Sequence, residues 1–233
     1  MKNKILIFTA TYNESENIKN FLTIVEKLNL NADVLVIDDN SPDNTSEIIK
    51  DYSINNKNIH LIIRSSKLGL DTAHKTAYNY ALDNNYKFLI TLDADLTHNP
   101  EIIPNFINEL DTCPFVIGSR YIHGGKTDMK GGRLFLSYFG NKFIKLLLNI
   151  KCSEFTTSFR GFNLNMLTDF NLNIVSSKGY SFFMETLYQL NKKKIPIKEI
   201  PIHAKQRDKG RSKIARIELM RTLFNVIKLK FFD

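Results

Sequence analysis

Phe88-Leu89-Ile90-Thr91-Leu92-Asp93-Ala94-Asp95-Leu96 sets an apolar run against two carboxylates two residues apart. The run has the length and content of a buried strand. Asp93 and Asp95, two apart at the end of that strand, are expected to point to one face, because side chains alternate along a strand. Two carboxylates leaving a strand end together make a hard, oxygen-rich site. Mg²⁺ is commonly held by one or two carboxylates plus substrate phosphates, so such a site suits a cation-bridged diphosphate. Alone, an Asp-x-Asp at a strand end is more often a cap or a solvated turn. Its meaning therefore rests on the segments around it.

Upstream, residues 5–9 read as a short buried strand that runs into Thr11-Tyr12-Asn13-Glu14. A helix follows with Ile18, Leu22, Val25 and Leu28 at helical spacing. Residues 34–37 form the next strand, ending in Asp38-Asp39, and 40–44 are turn chemistry before a helix around 46–52. A third strand spans 59–63, and a polar loop, 64–71, opens a helix through Ala73, Ala77 and Ala81. Strand and helix alternating at this pace predict βαβ units, an α/β class and a mostly parallel sheet. Ligands of such sheets gather outside the carboxyl ends of the strands. Glu14, Asp39, Lys67, Asp93 and Asp95 all fall there. No G-x-G-x-x-G follows the first strand, and no G-x-x-x-x-G-K-[ST] occurs anywhere. A nucleotide is thus expected to be held by carboxylates and a metal, which disfavours a dehydrogenase or a P-loop NTPase.

The chain has 233 residues, 43% hydrophobic and 24% charged, which suits a globular protein with a sizeable core. Its start shows no secretory h-region, and no apolar run approaches a membrane span of about 18 residues. With two cysteines, Cys113 and Cys152, the expectation is a reduced, cytosolic protein. The net charge is +8, concentrated late: residues 192–230 hold 13 Lys/Arg against three acids. A basic end on a near-neutral body suggests an anionic partner there.

The motifs carry a resemblance. Thr11-Tyr12-Asn13-Glu14, Ile37-Asp38-Asp39-Asn40-Ser41-Pro42-Asp43, Lys67-Leu68-Gly69-Leu70 and Asp93-Ala94-Asp95-Leu96 resemble, in order, those of inverting glycosyltransferases with the GT-A fold. More narrowly they are similar to dolichyl-phosphate and polyprenyl-phosphate mannosyltransferases and their glucosyl relatives. Later motifs agree: Gly118-Ser119-Arg120-Tyr121, Thr157-Ser158-Phe159-Arg160, Gly179-Tyr180 with Phe182 and Glu185, and Arg207 with Gly210, Ser212 and Lys213. The similarity spans nearly the whole chain. It implies a GT-A domain over 1–213, with a nucleotide half (1–98) and an acceptor half (99–213), and a basic amphipathic helix over 214–233.

It also implies roles. Thr11, Tyr12, Glu14, Ile37 and Asp39 would hold base and ribose. Lys67, Asp93, Ala94 and Asp95 would meet the diphosphate, with Asp93 and Asp95 binding Mg²⁺ or Mn²⁺. Arg120 would meet a phosphate of donor or acceptor. Arg133 and Ser137, four apart on a helix and so on one face, match positions that hold acceptor phosphate. Arg207 and Lys213 would close over the donor phosphates, with Asp95 and Arg207 central to catalysis. Glu185 would stand on the acceptor side. Several departures together bear on the donor, among them Asp71, which puts an acid near the diphosphate, and Thr97, which stands where Gln or Ser is common in the metal motif. Whether the donor is GDP-mannose or UDP-glucose stays open.

A lipid monophosphate acceptor, with a second pKa near 6, is already anionic at neutral pH and needs no strong base. Leu134, Phe135, Tyr138, Phe139, Phe143, Leu146 and Leu147 make one apolar helix face, and Ile217, Met220, Phe224, Ile227 and Phe231 another among basic residues. A basic amphipathic helix reads as interfacial. The expected partners are thus a nucleotide sugar, a polyprenyl phosphate, and a membrane surface or membrane protein on the cytoplasmic side. Relatives often carry transmembrane helices beyond this point, so attachment here is expected to be peripheral. No nucleic acid is expected, because the basic end lacks an aromatic ladder or a groove-reading motif. Two other readings remain: transfer to a saccharide or protein hydroxyl with Glu185 as base, and a silent basic binding domain.

Overall fold

The computed structural model describes residues 4–206 and 216–231, with the backbone alone for 216–223. Strands β1 (Ile5–Thr11), β2 (Ala32–Asp38), β3 (Ile59–Ile63) and β4 (Phe88–Thr91) alternate with helices α1 (Ile18–Lys27), α2 (Thr45–Asn55) and α3 (Leu70–Asp83). Then come α4 (Ile103–Leu110), β5 (Phe115–Ser119), β6 (Lys126–Thr127), α5 (Gly131–Leu148), β7 (Arg160–Asn163), α6 (Tyr180–Lys192), β8 (Ile197–Pro201), β9 (His203–Ala204) and α7 (Arg216–Phe231).

Seven strands form one sheet in the order β3-β2-β1-β4-β7-β5-β8. Every pairing in it is parallel except those of β7, which runs antiparallel between β4 and β5. Strands β1, β2 and β4 at the centre of the sheet are covered on both faces, which is why they are largely continuous apolar runs rather than alternating ones. Leu6, Phe8, Leu35, Ile37 and Leu89 pack on one side with α3 and α6. Ile7, Val34, Val36, Phe88 and Ile90 pack on the other with α1 and α4. Both layers contain residues from before and after residue 98, so the two halves share one sheet and both of its core layers.

Helix α5 buries only Asn141, Ile144 and Leu148 and turns Phe135, Leu136, Tyr138, Phe139, Phe143 and Leu146 outward. Helix α7 packs on α5 and α6 through Val226 and Leu229, while Phe224, Ile227 and Phe231 are exposed. Among the described residues no helix is long and apolar enough to cross a membrane.

Candidate active site

The carboxyl ends of β1, β2 and β4 form the floor of the candidate site. Asp38 is wholly buried and accepts from the Thr11 hydroxyl (2.7 Å), the Ser41 N–H (2.9 Å) and hydroxyl (2.6 Å), and the Ser46 hydroxyl (2.7 Å). This latch fixes the turn after β2 against the end of β1, and it engages the Thr11 hydroxyl. Glu14 accepts from Asn17 Nδ2 at 2.9 Å, and its N–H reaches Thr45 Oγ1 at 3.0 Å. The side chains of Ile37 and Ala94 lie in the core, so any contact they make with a nucleotide is through the main chain.

The polar loop after β3 closes over this floor. Arg64 sends Nε and Nη2 to the Asp39 carboxylate and also donates from Nη2 to the Gly69 carbonyl (3.0 Å). Lys67 stands with Nζ 4.4 Å from the centre of the Tyr12 ring. Tyr12, Asp39 and Lys67 are thus gathered into one polar wall. Asp71, expected near the diphosphate, is engaged by the chain itself. It is buried and accepts from the Gly179 N–H at 3.1 Å, at the start of α6. A helix N-terminus attracts negative charge, which accounts for the acid at this position.

Asp93 and Asp95 do not lie on a strand. β4 stops at Thr91, and a turn carries both carboxylates, with Leu96 at φ +59°. Strand alternation therefore does not orient them; the turn does. Asp95 Oδ1 accepts from the Thr97 N–H (3.1 Å) and hydroxyl (2.8 Å). Buried His98 lies with Nδ1 3.8 Å from Asp93 Oδ2 and Nε2 3.3 Å from Thr157 Oγ1. Burial drives its imidazole pKa down to about 4, against the opposing pull of Asp95. The backbone beyond is pinned, with Lys205 N–H donating to Thr97 O at 2.9 Å.

On the far side, Arg120 leaves the end of β5 and grips Glu154, Nε to Oε2 at 2.6 Å and Nη2 to Oε1 at 2.7 Å. Burial alone would raise the Glu154 carboxyl, but the guanidinium overrides it and holds the pKa below the usual range. Tyr121 hydrogen-bonds Ser137 of α5 at 2.7 Å, which ties α5 to the segment after β5. Arg133 is exposed in the first turn of α5. Beside Arg120 opens a groove lined by Arg120, Tyr121, Leu134, Phe135, Tyr138 and Phe139. Gly125 lets the next loop fold back along it: a Cβ there would stand 2.6 Å from the Ser119 carbonyl. Glu185 is buried, and its two oxygens accept the N–H groups of Ser176 (2.8 Å) and Ser177 (2.7 Å), so it holds that loop. Arg207 and Lys213 lie outside the described residues.

Residues 6–170 match the family model described as glycosyl transferase family 2. The chain belongs to glycosyl transferase family 2. It is 30% identical to an undecaprenyl-phosphate mannosyltransferase of Micrococcus luteus, over 91% of this chain and 88% of that protein. It is 29% identical to a polyprenol monophosphomannose synthase of Mycolicibacterium smegmatis, over 96% of this chain and 85% of that protein. Among solved structures, a mannosyltransferase from Pyrobaculum calidifontis in complex with GDP-mannose and Mn²⁺ superposes with a TM-score of 0.59 at 14% identity. That match covers 100% of this chain and 71% of the other and shares the GT-A fold.

In this family 2 glycosyltransferase the donor set at Asp93 and Asp95 is two hard carboxylates. Among the described residues no group of three His, Cys, Asp or Glu is arranged to hold a metal. Two carboxylates fit Mg²⁺ or Mn²⁺ when diphosphate and water complete the shell.

Sequence reasoning gave no role to Arg64, Glu154 or His98, and noted Arg160 only within a motif. Arg160 is 1% exposed, donates to the carbonyls of Thr157 (2.9 Å) and Phe155 (3.2 Å), and stacks 4.7 Å from Phe183. Burial lowers its pKa to about 9, so it stays a cation at neutral pH. It holds the turn that presents Glu154 and Thr156 to Arg120.

Proposed function

We propose that this enzyme transfers a mannosyl group, from a GDP-mannose type donor, to a polyprenyl monophosphate with inversion at the anomeric carbon. The observation that carries the reading is the groove beside Arg120. An apolar, aromatic wall ends at a guanidinium whose Nε and Nη2 are committed to Glu154, which leaves Nη1 for an incoming phosphate oxygen. An amphiphile with an anionic head and a hydrocarbon tail satisfies both parts. The relatives' mannosyl and polyprenyl specificities support the same substrate pair.

Tyr12, Asp39 and Lys67 orient the nucleotide. Asp93 and Asp95 hold the divalent cation, which supplies charge neutralisation to the departing diphosphate when bound. Arg120, Ser137 and Arg133 bring the acceptor phosphate to the sugar. A phosphate oxygen forms the new bond to the anomeric carbon as the bond to the donor diphosphate breaks, and its electron pair leaves with the nucleotide. The acceptor oxygen is already anionic, so no side chain must remove a proton. Electrostatic preorganisation by these fixed groups carries the rate.

The lipid is met at a membrane surface. The exposed aromatic and aliphatic residues of α5 and α7, flanked by exposed Lys142, Lys145, Lys228 and Lys230, provide a peripheral docking face.

Purified protein given GDP-mannose, Mn²⁺ and a short polyprenyl phosphate should yield a glycolipid of the summed mass, with inverted anomeric configuration by NMR. No glycolipid with any polyprenyl phosphate, across a panel of nucleotide sugars, would overturn the reading.

A further inference from the structure

The Nδ1 atom of His98 is buried and has no hydrogen-bond partner. It sits beside the metal carboxylates. The surroundings of the ring decide which nitrogen carries the proton. Thr157 Oγ1 already accepts the Phe159 N–H at 3.2 Å, and the acceptor within reach of its own proton is His98 Nε2 at 3.3 Å. A hydroxyl donating to Nε2 leaves the neutral ring's proton on Nδ1. That N–H faces Asp93 Oδ2 at 3.8 Å, beyond hydrogen-bond range.

The two partners differ in burial. His98 is the fixed member: its ring packs 5.7 Å from Phe159 and its backbone bridges to Ala204. The Asp93 side chain is 41% exposed. A rotation closing about 1 Å would satisfy a buried donor that otherwise costs about 1–3 kcal/mol.

We propose that His98 is a positioning residue for Asp93, donating from Nδ1 to the carboxylate and aiming its other oxygen at the divalent cation and donor diphosphate. The proposal rests on Asp93 serving the cation site. Donors of this kind orient a metal-binding carboxylate and set its reach, and their loss typically weakens metal binding about 10- to 100-fold.

Asn and Gln substitutions separate the two ring nitrogens. An Asn amide nitrogen falls near the place of Nδ1, and a Gln amide nitrogen near that of Nε2. Mn²⁺ binding to the full chain, followed by electron paramagnetic resonance without any donor sugar, is expected to weaken about tenfold in His98→Gln and His98→Phe. His98→Asn should recover most of the affinity. Thermal melting of each variant identifies loss by unfolding. Nitrogen-15 NMR of the wild-type imidazoles should show the His98 proton on Nδ1. An Asn variant no better than the Gln variant, or a proton on Nε2 with Nδ1 bare, would overturn the assignment. The tautomer measurement needs no metal. It decides the role of His98 even where Mn²⁺ fails to bind, and that failure would count against the cation site itself.

Discussion

Arg120 and Glu154 meet through two parallel hydrogen bonds, 2.6 and 2.7 Å, with Glu154 fully buried and Thr156 bonded to both. Bidentate arginine–carboxylate pairs fix orientation as well as charge. The carboxylate therefore fixes the guanidinium at the edge of the groove and offsets part of its charge.

Glu154→Gln should loosen that hold. Breaking a buried pair by neutralising one partner costs about 3–5 kcal/mol of stability. In the fraction that folds, KM for polyprenyl phosphate should rise while KM for the nucleotide sugar holds. Steady-state kinetics with each substrate varied decides it; an unchanged acceptor KM would remove the pair from the acceptor site.

Asp95→Asn keeps an Oδ1 acceptor for the Thr97 N–H and hydroxyl, so the turn should survive. The charge is lost. A metal contribution of several kcal/mol makes the expected fall in turnover about a hundredfold or more. Near-normal turnover, with circular dichroism unchanged, would take Asp95 out of the cation site.

Arg64→Gln tests the nucleotide wall. The Arg64 and Asp39 side chains are 8% and 10% exposed, so their attraction is little screened. Without Arg64, Asp39 turns freely and the loop bearing Lys67 loses its tie to Gly69. The donor KM should rise with kcat less affected, the signature of lost uniform binding. An Arg64→Lys variant keeps the charge without the planar fork and should fall between. A donor KM equal to wild type in both would refute the role.

The strand and helix alternation through β4 was legible because each element is local and its apolar period is strong. Ala73, Ala77 and Ala81 lie along one fully buried face of α3, as their spacing implies. β7 was not legible: Arg-Gly-Phe-Asn has no strand pattern, and long-range antiparallel pairing with β4 and β5 makes it a strand. The same physics hid half the site. Carboxylates at strand ends announce themselves, but their partners lie far off in sequence. Arg64 is 25 residues from Asp39, Glu154 is 34 from Arg120, and Thr157 is 59 from His98. The partners of Glu185 and Asp71 were likewise hidden, since only the folded chain shows the N–H groups each accepts.

The outward faces of α5 and α7 predict lipid binding without a cost in stability. Leu146 is 82% exposed, so Leu146→Glu should leave the melting temperature unchanged. Burying a leucine-sized side chain contributes about 1.5–3 kcal/mol, so its loss should weaken vesicle partitioning about tenfold or more. Phe224→Glu, at 69% exposure, should act alike. Flotation with anionic vesicles reads both, and added salt should weaken binding further by screening the lysines. Unchanged flotation of the double variant would move the membrane contact elsewhere.

His74 predicts an acid sensitivity of the fold. Its ring is held edge-on by Phe8 and Phe183, each with centroids 5.1 Å away, and burial, aided by the Arg160 cation, lowers its pKa from 6.5 to about 3. Between those values the unfolded chain binds a proton that the folded chain refuses, so stability falls as pH drops below about 6.5 and stops falling near 3. Each pH unit in that window removes up to about 1.4 kcal/mol. His74→Phe removes the titration and keeps an aromatic ring in the cluster. Urea unfolding at neutral pH and at about pH 5 should show a smaller loss in the variant than in the wild type. Equal losses would mean that acid destabilisation comes from other groups, and that the His74 imidazole takes up its proton as readily in the folded chain as in the unfolded one.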